Sequence, residues 1–183
     1  MLVLVVGPSG AGKDTLLDAA RDRLPADARM HFARRQITRP LVAGGEKHLP
    51  IDRPTFERRR DAGCYALWWE AHGLGYAISA DIAPVLERGD IVVASVSRAV
   101  LADAACRFRV RVIEVTAPAA VLAQRLAARR REDAAAIAGR LGRTIAFPPG
   151  LEVVTIDNVG TVAAGAARLL AALSPAAAAA QPA

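Results

Sequence analysis

The feature that most constrains this chain is the junction at its start. An unbroken apolar run, Leu2-Val3-Leu4-Val5-Val6, passes directly into Gly7-Pro8-Ser9-Gly10-Ala11-Gly12-Lys13-Asp14-Thr15. A short run that is β-branched and continuous, not alternating, is the pattern of a strand covered on both faces. Beyond the glycines, Leu16, Leu17, Ala20 and Leu24 form a helical stripe that Pro25 closes. Between strand and helix the pattern G-x-x-x-x-G-K has a physical meaning. The glycines let the backbone curl until successive N–H groups converge on an anion, the helix aims its positive end at the same place, and Lys13 adds a mobile charge. Residues Gly7 to Thr15 are therefore predicted to hold the phosphates of a nucleoside triphosphate. One letter departs from the pattern: Asp14 stands where a hydroxyl residue is usual.

The remaining sequence alternates strand and helix signals. Strands are predicted at Met30 to Ile37, Cys64 to Glu70, Gly75 to Ser79, Asp90 to Val96, Arg109 to Thr116 and Glu152 to Asp157. Helices are predicted over Thr55 to Ala62, Asp81 to Arg88, Ala99 to Cys106, from Pro118 onward, and Thr161 to Leu173. Such alternation in 183 residues predicts an α/β fold of the P-loop nucleoside-triphosphate kind. Its parallel sheet would have about five strands with helices on both faces, in one domain over 1–173. The segment 174–183, Ser-Pro followed by alanines, lacks the means to bury surface and is expected to be a disordered tail. No apolar stretch approaches the ~20 residues that cross a bilayer, so a soluble cytoplasmic protein without membrane partners is expected. Cys64 and Cys106 have no metal-ligand spacing and are read as buried or incidental thiols. The formal charge of +6 suits nucleic acid or a polyphosphorylated small molecule, and 22 of the 24 basic residues are arginine, as a coding bias would give.

The chain resembles the guanylate-kinase branch of the small P-loop kinases, on Gly7-Pro8-Ser9-Gly10-Ala11-Gly12-Lys13, Thr38-Arg39-Pro40, Gly45-Glu46 and an arginine-rich segment later on. Within that branch it is most similar to the ribose 1,5-bisphosphate phosphokinases. The residues carrying the closer match are Ile37 to Pro40, Phe56 to Ile78 and Ser97-Arg98. The resemblance implies an acceptor-binding insertion over about 34–80 and a lid over about 125–145. It also implies ATP and Mg2+ as cofactors, and a phosphorylated sugar, not nucleic acid, as partner. Two departures from guanylate kinase favour the narrower family: Val42 stands where a second acceptor arginine is expected, and Tyr76-Ala77-Ile78 puts an apolar side chain where a hydroxyl would face the purine. A guanylate-kinase-like nucleoside monophosphate kinase, or a non-catalytic binding module on the same fold, are the alternatives.

Site residues follow from the match. Arg35, Arg39, Glu46, Tyr76 and Arg98 are the expected acceptor-binding residues; Arg34 alternates with Arg35, so at most one of the two faces the acceptor. Arg125 and Arg129, four apart on one helical face, are expected to close over the triphosphate as catalytic residues with Lys13. Arg140 and Arg143 are further candidates from the following helix. The candidate strand segment Ile91 to Arg98 offers no carboxylate where such enzymes often keep a magnesium-binding acid. Asp14 is therefore expected to carry that charge, with Thr15 as a hydroxyl ligand; the competing expectation is that Asp14 only stabilises its helix start. Trp68 and Trp69 are expected at core and rim, not as a stacking platform, and His72 on a surface turn.

Overall fold

The computed structural model describes residues 1–25, 29–41, 47–128 and 146–174. Nine strands are described: β1 (Leu2–Val6), β2 (Met30–Phe32), β3 (Gln36–Ile37), β4 (Leu49–Pro50), β5 (Tyr65–Ala71), β6 (Leu74–Ser79), β7 (Ile91–Ser95), β8 (Val110–Thr116) and β9 (Val153–Asp157). The described helices are α1 (Lys13–Arg21), α2 (Arg53–Asp61), α3 (Ala83–Glu87), α4 (Leu101–Arg107), α5 (Ala119–Ala128) and α6 (Val162–Leu173). A five-stranded sheet runs in the order β2-β7-β1-β8-β9, and a second sheet of four strands in the order β4-β3-β6-β5. The first is the parallel, helix-flanked sheet expected of an α/β chain, and all five side chains of β1 are fully buried in it.

Two compact units make up the chain: one of Met1–Leu4 and Asp27–Arg111, the other of Val5–Ala26 and Val112–Ala183. In the first, β2 lies parallel to β7 with His31 opposite Val92. The four-stranded sheet follows, with β5 and β6 antiparallel around the turn His72-Gly73. Helix α2 is capped by Asp52, whose Oδ1 accepts from the Thr55 N–H at 2.8 Å, and it lays Phe56 against Tyr65 and Ala77 of that sheet. In the second unit β8 and β9 are parallel, with Ile113 opposite Val154. Helices α1 and α6 pack together through Leu16, Ala20, Ala166, Leu169 and Leu173.

Several sequence readings are corrected. The single strand expected over Met30 to Ile37 is two strands in two sheets. The Ala33 N–H still donates to the Val93 carbonyl at 2.9 Å, the last rung of the first sheet, before Gln36 and Ile37 pair with Leu49 and Pro50 on one side and Ala77 and Tyr76 on the other. Strand propensity is the same on both sides of that switch, so no local signal marks it. The helix expected over Asp81 to Arg88 is a 3₁₀ turn, Ala80–Ile82, capped by Ser79, followed by the short α3, which opens with Pro84 in its first turn. The thiols are not buried: Cys106 is exposed and Cys64 half-buried. One tryptophan is core and the other rim, but in the opposite order to that expected: Trp69 is buried at 8% exposure and Trp68 is 45% exposed, because Trp69 shares its face of the sheet with Tyr76.

Among the described residues of the first unit one carboxylate is buried, Asp90, and it organises the start of β7. Its Oδ1 accepts from Arg29 Nε at 2.6 Å, and Oδ2 lies 3.4 Å from His31 Nε2 and 3.6 Å from Arg88 Nε. The Arg29 hydrogen bond holds the Asp90 carboxyl below the ordinary aspartate range. A depressed folded-state pKa contributes stability that is complete above about pH 4 and is lost as pH falls through the folded value. Asp90→Asn is expected to lower the melting temperature by a few degrees at pH 7. Scanning calorimetry from pH 8 to 3 should show that difference constant down to about pH 5 and vanishing in acid.

Candidate active site

The loop from Gly7 to Thr15 gathers all nine residues expected there, and two constraints set its shape. At Gly7 (φ +142°) a β-carbon would stand 1.9 Å from the Val115 carbonyl oxygen, so the chain leaves β1 against the backbone of β8 with no room for a side chain. Lys13 Nζ donates to the carbonyls of Gly7 at 2.7 Å and Pro8 at 3.0 Å, folding its stem back over the loop and holding the ammonium at the loop mouth. Helix α1 starts from Gly12 in the left-handed conformation, a residue with no side chain to act as a cap, and a helix N-terminus is a place where an anion is favoured. Asp14 lies in that first turn, half-buried, and Thr15 is exposed beside it.

Arg125, on α5, reaches this loop. Its Nη2 donates to the Asn158 carbonyl at 2.9 Å, and its Nη1 approaches the Gly10 carbonyl at 3.5 Å. Arg129, Arg140 and Arg143, the other lid arginines, lie outside the described residues. Asn158 was not singled out by sequence reasoning, yet it is 6% exposed and its Nδ2 donates to the Ala11 carbonyl at 2.7 Å. The only signal available was its place, directly after the last strand and so at the carboxyl edge where α/β sheets bind ligands.

The expected acceptor residues belong to the unit of the four-stranded sheet, apart from Glu46, which lies outside the described residues. Arg39 follows β3 and forms part of the wall of a cleft of about 650 Å3, together with Thr38, Thr55, Arg53 and Arg59. Arg34 and Arg35 lie in the connection between β2 and β3 and not on a strand, so strand alternation does not decide between them; Arg35 is half-buried and Arg34 exposed. Tyr76 stands opposite Ile37 and Trp69, and its ring stacks on Trp69 with centroids 5.3 Å apart and planes 4° from parallel. That row is on the other face of the sheet from the Gln36, Ala77 and Trp68 row. Arg98 opens a 3₁₀ turn directly after β7, capped by Ser97, and is half-buried. His72 is exposed in the β5–β6 turn with φ +53° and lines a hollow with Thr38, Arg53 and Glu70. Of the cleft arginines the sequence reading passed over, Arg53 is held by Glu57 and Glu70, each at 2.6 Å, whereas the Arg59 guanidinium lies over the Tyr65 ring, 5.7 Å from its centroid.

No protein-family model matches the chain. Curated relatives do. The ribose 1,5-bisphosphate phosphokinase PhnN of Brucella melitensis is 48% identical over 164 residues, 88% of this chain and 85% of that protein. The enzyme of the same name from Acidiphilium cryptum is 51% identical over 168 residues, 92% of this chain and 90% of that protein. The chain belongs to the ribose 1,5-bisphosphate phosphokinase family. Among solved structures, the guanylate kinase of Anaplasma phagocytophilum superposes with a TM-score of 0.69 over 94% of this chain and 84% of that one, at 16% identity. That likeness establishes the P-loop kinase fold expected from the sequence. No described helix is long and apolar enough to cross a membrane.

For a kinase of this family the donor set near the loop suits a hard divalent cation. Asp14 and Thr15 supply oxygen, and magnesium takes one or two protein oxygens plus phosphates and water. Among the described residues no group of three or more His, Cys, Asp or Glu side chains gathers elsewhere to compete for a metal. The Gly7 constraint yields a direct test. Gly7→Ala forces a β-carbon into the Val115 carbonyl, a backbone atom with nowhere to go. Urea denaturation should show a loss of about 3 kcal/mol or more.

Proposed function

We propose that the protein transfers the γ-phosphoryl group of ATP to the 1-phosphate of ribose 1,5-bisphosphate, giving ADP and 5-phospho-α-D-ribose 1-diphosphate. The observation that carries this reading is the 48–51% identity to the Brucella and Acidiphilium enzymes over about nine-tenths of the chain. The burial of Ile78 supports it against a guanine-reading pocket: that side chain is fully enclosed, with Ala77 fully buried beside it. A purine edge placed there would meet no hydroxyl, at roughly 1–3 kcal/mol per unpaired polar group.

The reaction makes modest chemical demands. An oxygen of the acceptor's 1-phosphate attacks Pγ, the bond from Pγ to the β,γ-bridging oxygen breaks, and ADP leaves with that oxygen. The nucleophile is already ionised, so no strong general base is needed; positioning and charge neutralisation supply the rate. The loop N–H groups and the α1 start bind the donor's phosphates. Lys13 exchanges its carbonyl partners for phosphate oxygens, and Arg125 and Arg129 neutralise charge as transfer proceeds. Arg39, with Arg35 and Arg98, binds the acceptor's phosphates, while Glu46 and Tyr76 orient the sugar. Magnesium, held through Asp14 and Thr15, supplies electrostatic neutralisation of the triphosphate when bound. Desolvation on closure keeps water from the phosphoryl group.

Purified protein given ATP and ribose 1,5-bisphosphate should form the diphosphate product, identified by mass spectrometry, while GMP offered at the same concentration should leave ATP unconsumed. Phosphorylation of GMP alone would overturn the assignment in favour of a nucleoside monophosphate kinase. Lys13→Met should lower kcat by about 10²–10³ with the melting temperature nearly unchanged. Asp14→Ala should raise the magnesium concentration needed for half-maximal rate several-fold; an unchanged magnesium titration with a lower melting temperature would mean that Asp14 serves only the helix.

A further inference from the structure

Asn158 makes more contacts with the phosphate loop than a core residue needs. Its backbone N–H donates to the Thr116 carbonyl at 2.7 Å, fixing it at the end of the β8–β9 pair. From that anchor its side chain reaches Ala11 and its carbonyl receives Arg125. Two glycines make room for it. A β-carbon at Gly12 would lie 2.6 Å from Asn158 Nδ2, and one at Gly165, inside α6, would lie 2.8 Å from Asn158 Oδ1 and 2.7 Å from Leu16 Cδ2. Gly12 also needs glycine for its φ of +87°, but Gly165 has no positive φ to explain it. A glycine within a helix costs about 1 kcal/mol relative to alanine, so space for the carboxamide and for Leu16 is what its presence secures.

The consequence lies in the geometry of one peptide. In a planar trans peptide the carbonyl of one residue and the N–H of the next point in opposite directions. Holding the Ala11 carbonyl toward Asn158 therefore turns the Gly12 N–H away from it, on the side away from the buried carboxamide. Among the described residues that N–H has no hydrogen-bond partner, whereas the neighbouring Ala11 N–H is already spent on the Pro8 carbonyl at 3.2 Å. We infer that Asn158 is a positioning residue of the nucleotide site: its carboxamide sets the Ala11–Gly12 peptide so that the Gly12 N–H is presented to a nucleotide phosphate. By its carbonyl the same residue seats Arg125. Asparagine meets the requirement because the position must donate to a carbonyl without bringing charge toward the phosphates.

This inference rests on the reading of Gly7 to Thr15 as the triphosphate site, and the test separates the two. Asn158→Leu keeps the size and removes the donor without adding charge. Asn158→Asp keeps the shape and turns the donor into an acceptor until it is protonated. Both retain the backbone carbonyl that holds Arg125. ATP and ADP affinities would be measured by calorimetry, and KM for ATP and for ribose 1,5-bisphosphate by steady-state kinetics, on variants whose fold is checked by circular dichroism.

Both variants should bind ATP and ADP about tenfold or more weakly at pH 8, the size expected for one hydrogen bond to a charged group, with the acceptor KM changed less than about twofold. Lowering the pH toward 5 should recover much of the affinity in Asn158→Asp, since a protonated carboxyl donates to Ala11 again, and should not do so in Asn158→Leu. Wild-type affinity in Asn158→Leu, a defect confined to the charged variant, or equal loss of both KM values with a matching fall in melting temperature would each overturn the inference. If Asn158→Leu does not fold, the pH recovery of Asn158→Asp decides alone. Absence of ATP binding by the wild type would instead overturn the reading of the loop.

Discussion

The phosphate site depends on where a few backbone carbonyls are held. A loop whose N–H groups are to converge on an anion must dispose of the carbonyls that alternate with them, and each needs a donor. Here the donors come from different parts of the chain: Lys13 takes the carbonyls of Gly7 and Pro8, Asn158 takes that of Ala11, and Arg125 approaches that of Gly10. The glycine pattern permits the curl; these side chains select one curl from those it permits. The contact of Gly7 with the Val115 carbonyl fixes where the loop begins, and the uncapped start of α1 fixes where it ends.

The same arrangement bears on the Asp14 departure. With Gly12 as the N-cap, α1 has no capping side chain from that residue, and the helix start carries the positive end of the helix dipole. A carboxylate in that first turn is stabilised there in the empty protein. On the proposed reading a bound triphosphate would bring a second anion to the same place, and a divalent cation between them would reconcile the two. If Asp14 serves only the helix, that cation would be held by other groups.

The acceptor region shows why composition misleads about charge. The run Arg58-Arg59-Arg60 on α2 looks like a cationic patch, yet Arg60 pairs with Asp61 at 2.8 Å and lies over the Trp68 ring, and Arg58 donates to Thr55. Arg53, at the other end of the helix, is shared by two glutamates. Several arginines are therefore held locally, and which of them can meet a ligand is set by their neighbours and not by the net charge.

Much was legible in the sequence because its causes are local. Continuous apolar runs marked the buried strands of a parallel sheet. The glycine spacing marked the loop, and His72-Gly73 marked a turn. What the tertiary structure alone decided involves partners distant along the chain. The change of sheet between Phe32 and Gln36 is invisible locally because strand propensity says nothing of which neighbour supplies the hydrogen bonds. Asn158 meets Ala11 across 147 residues, and Gly165 looks like a flaw in α6 until the carboxamide beside it is seen. Sequence periodicity records which face of an element is buried; it does not record against what, and the alignment of donors on the phosphate loop is a property of that second fact.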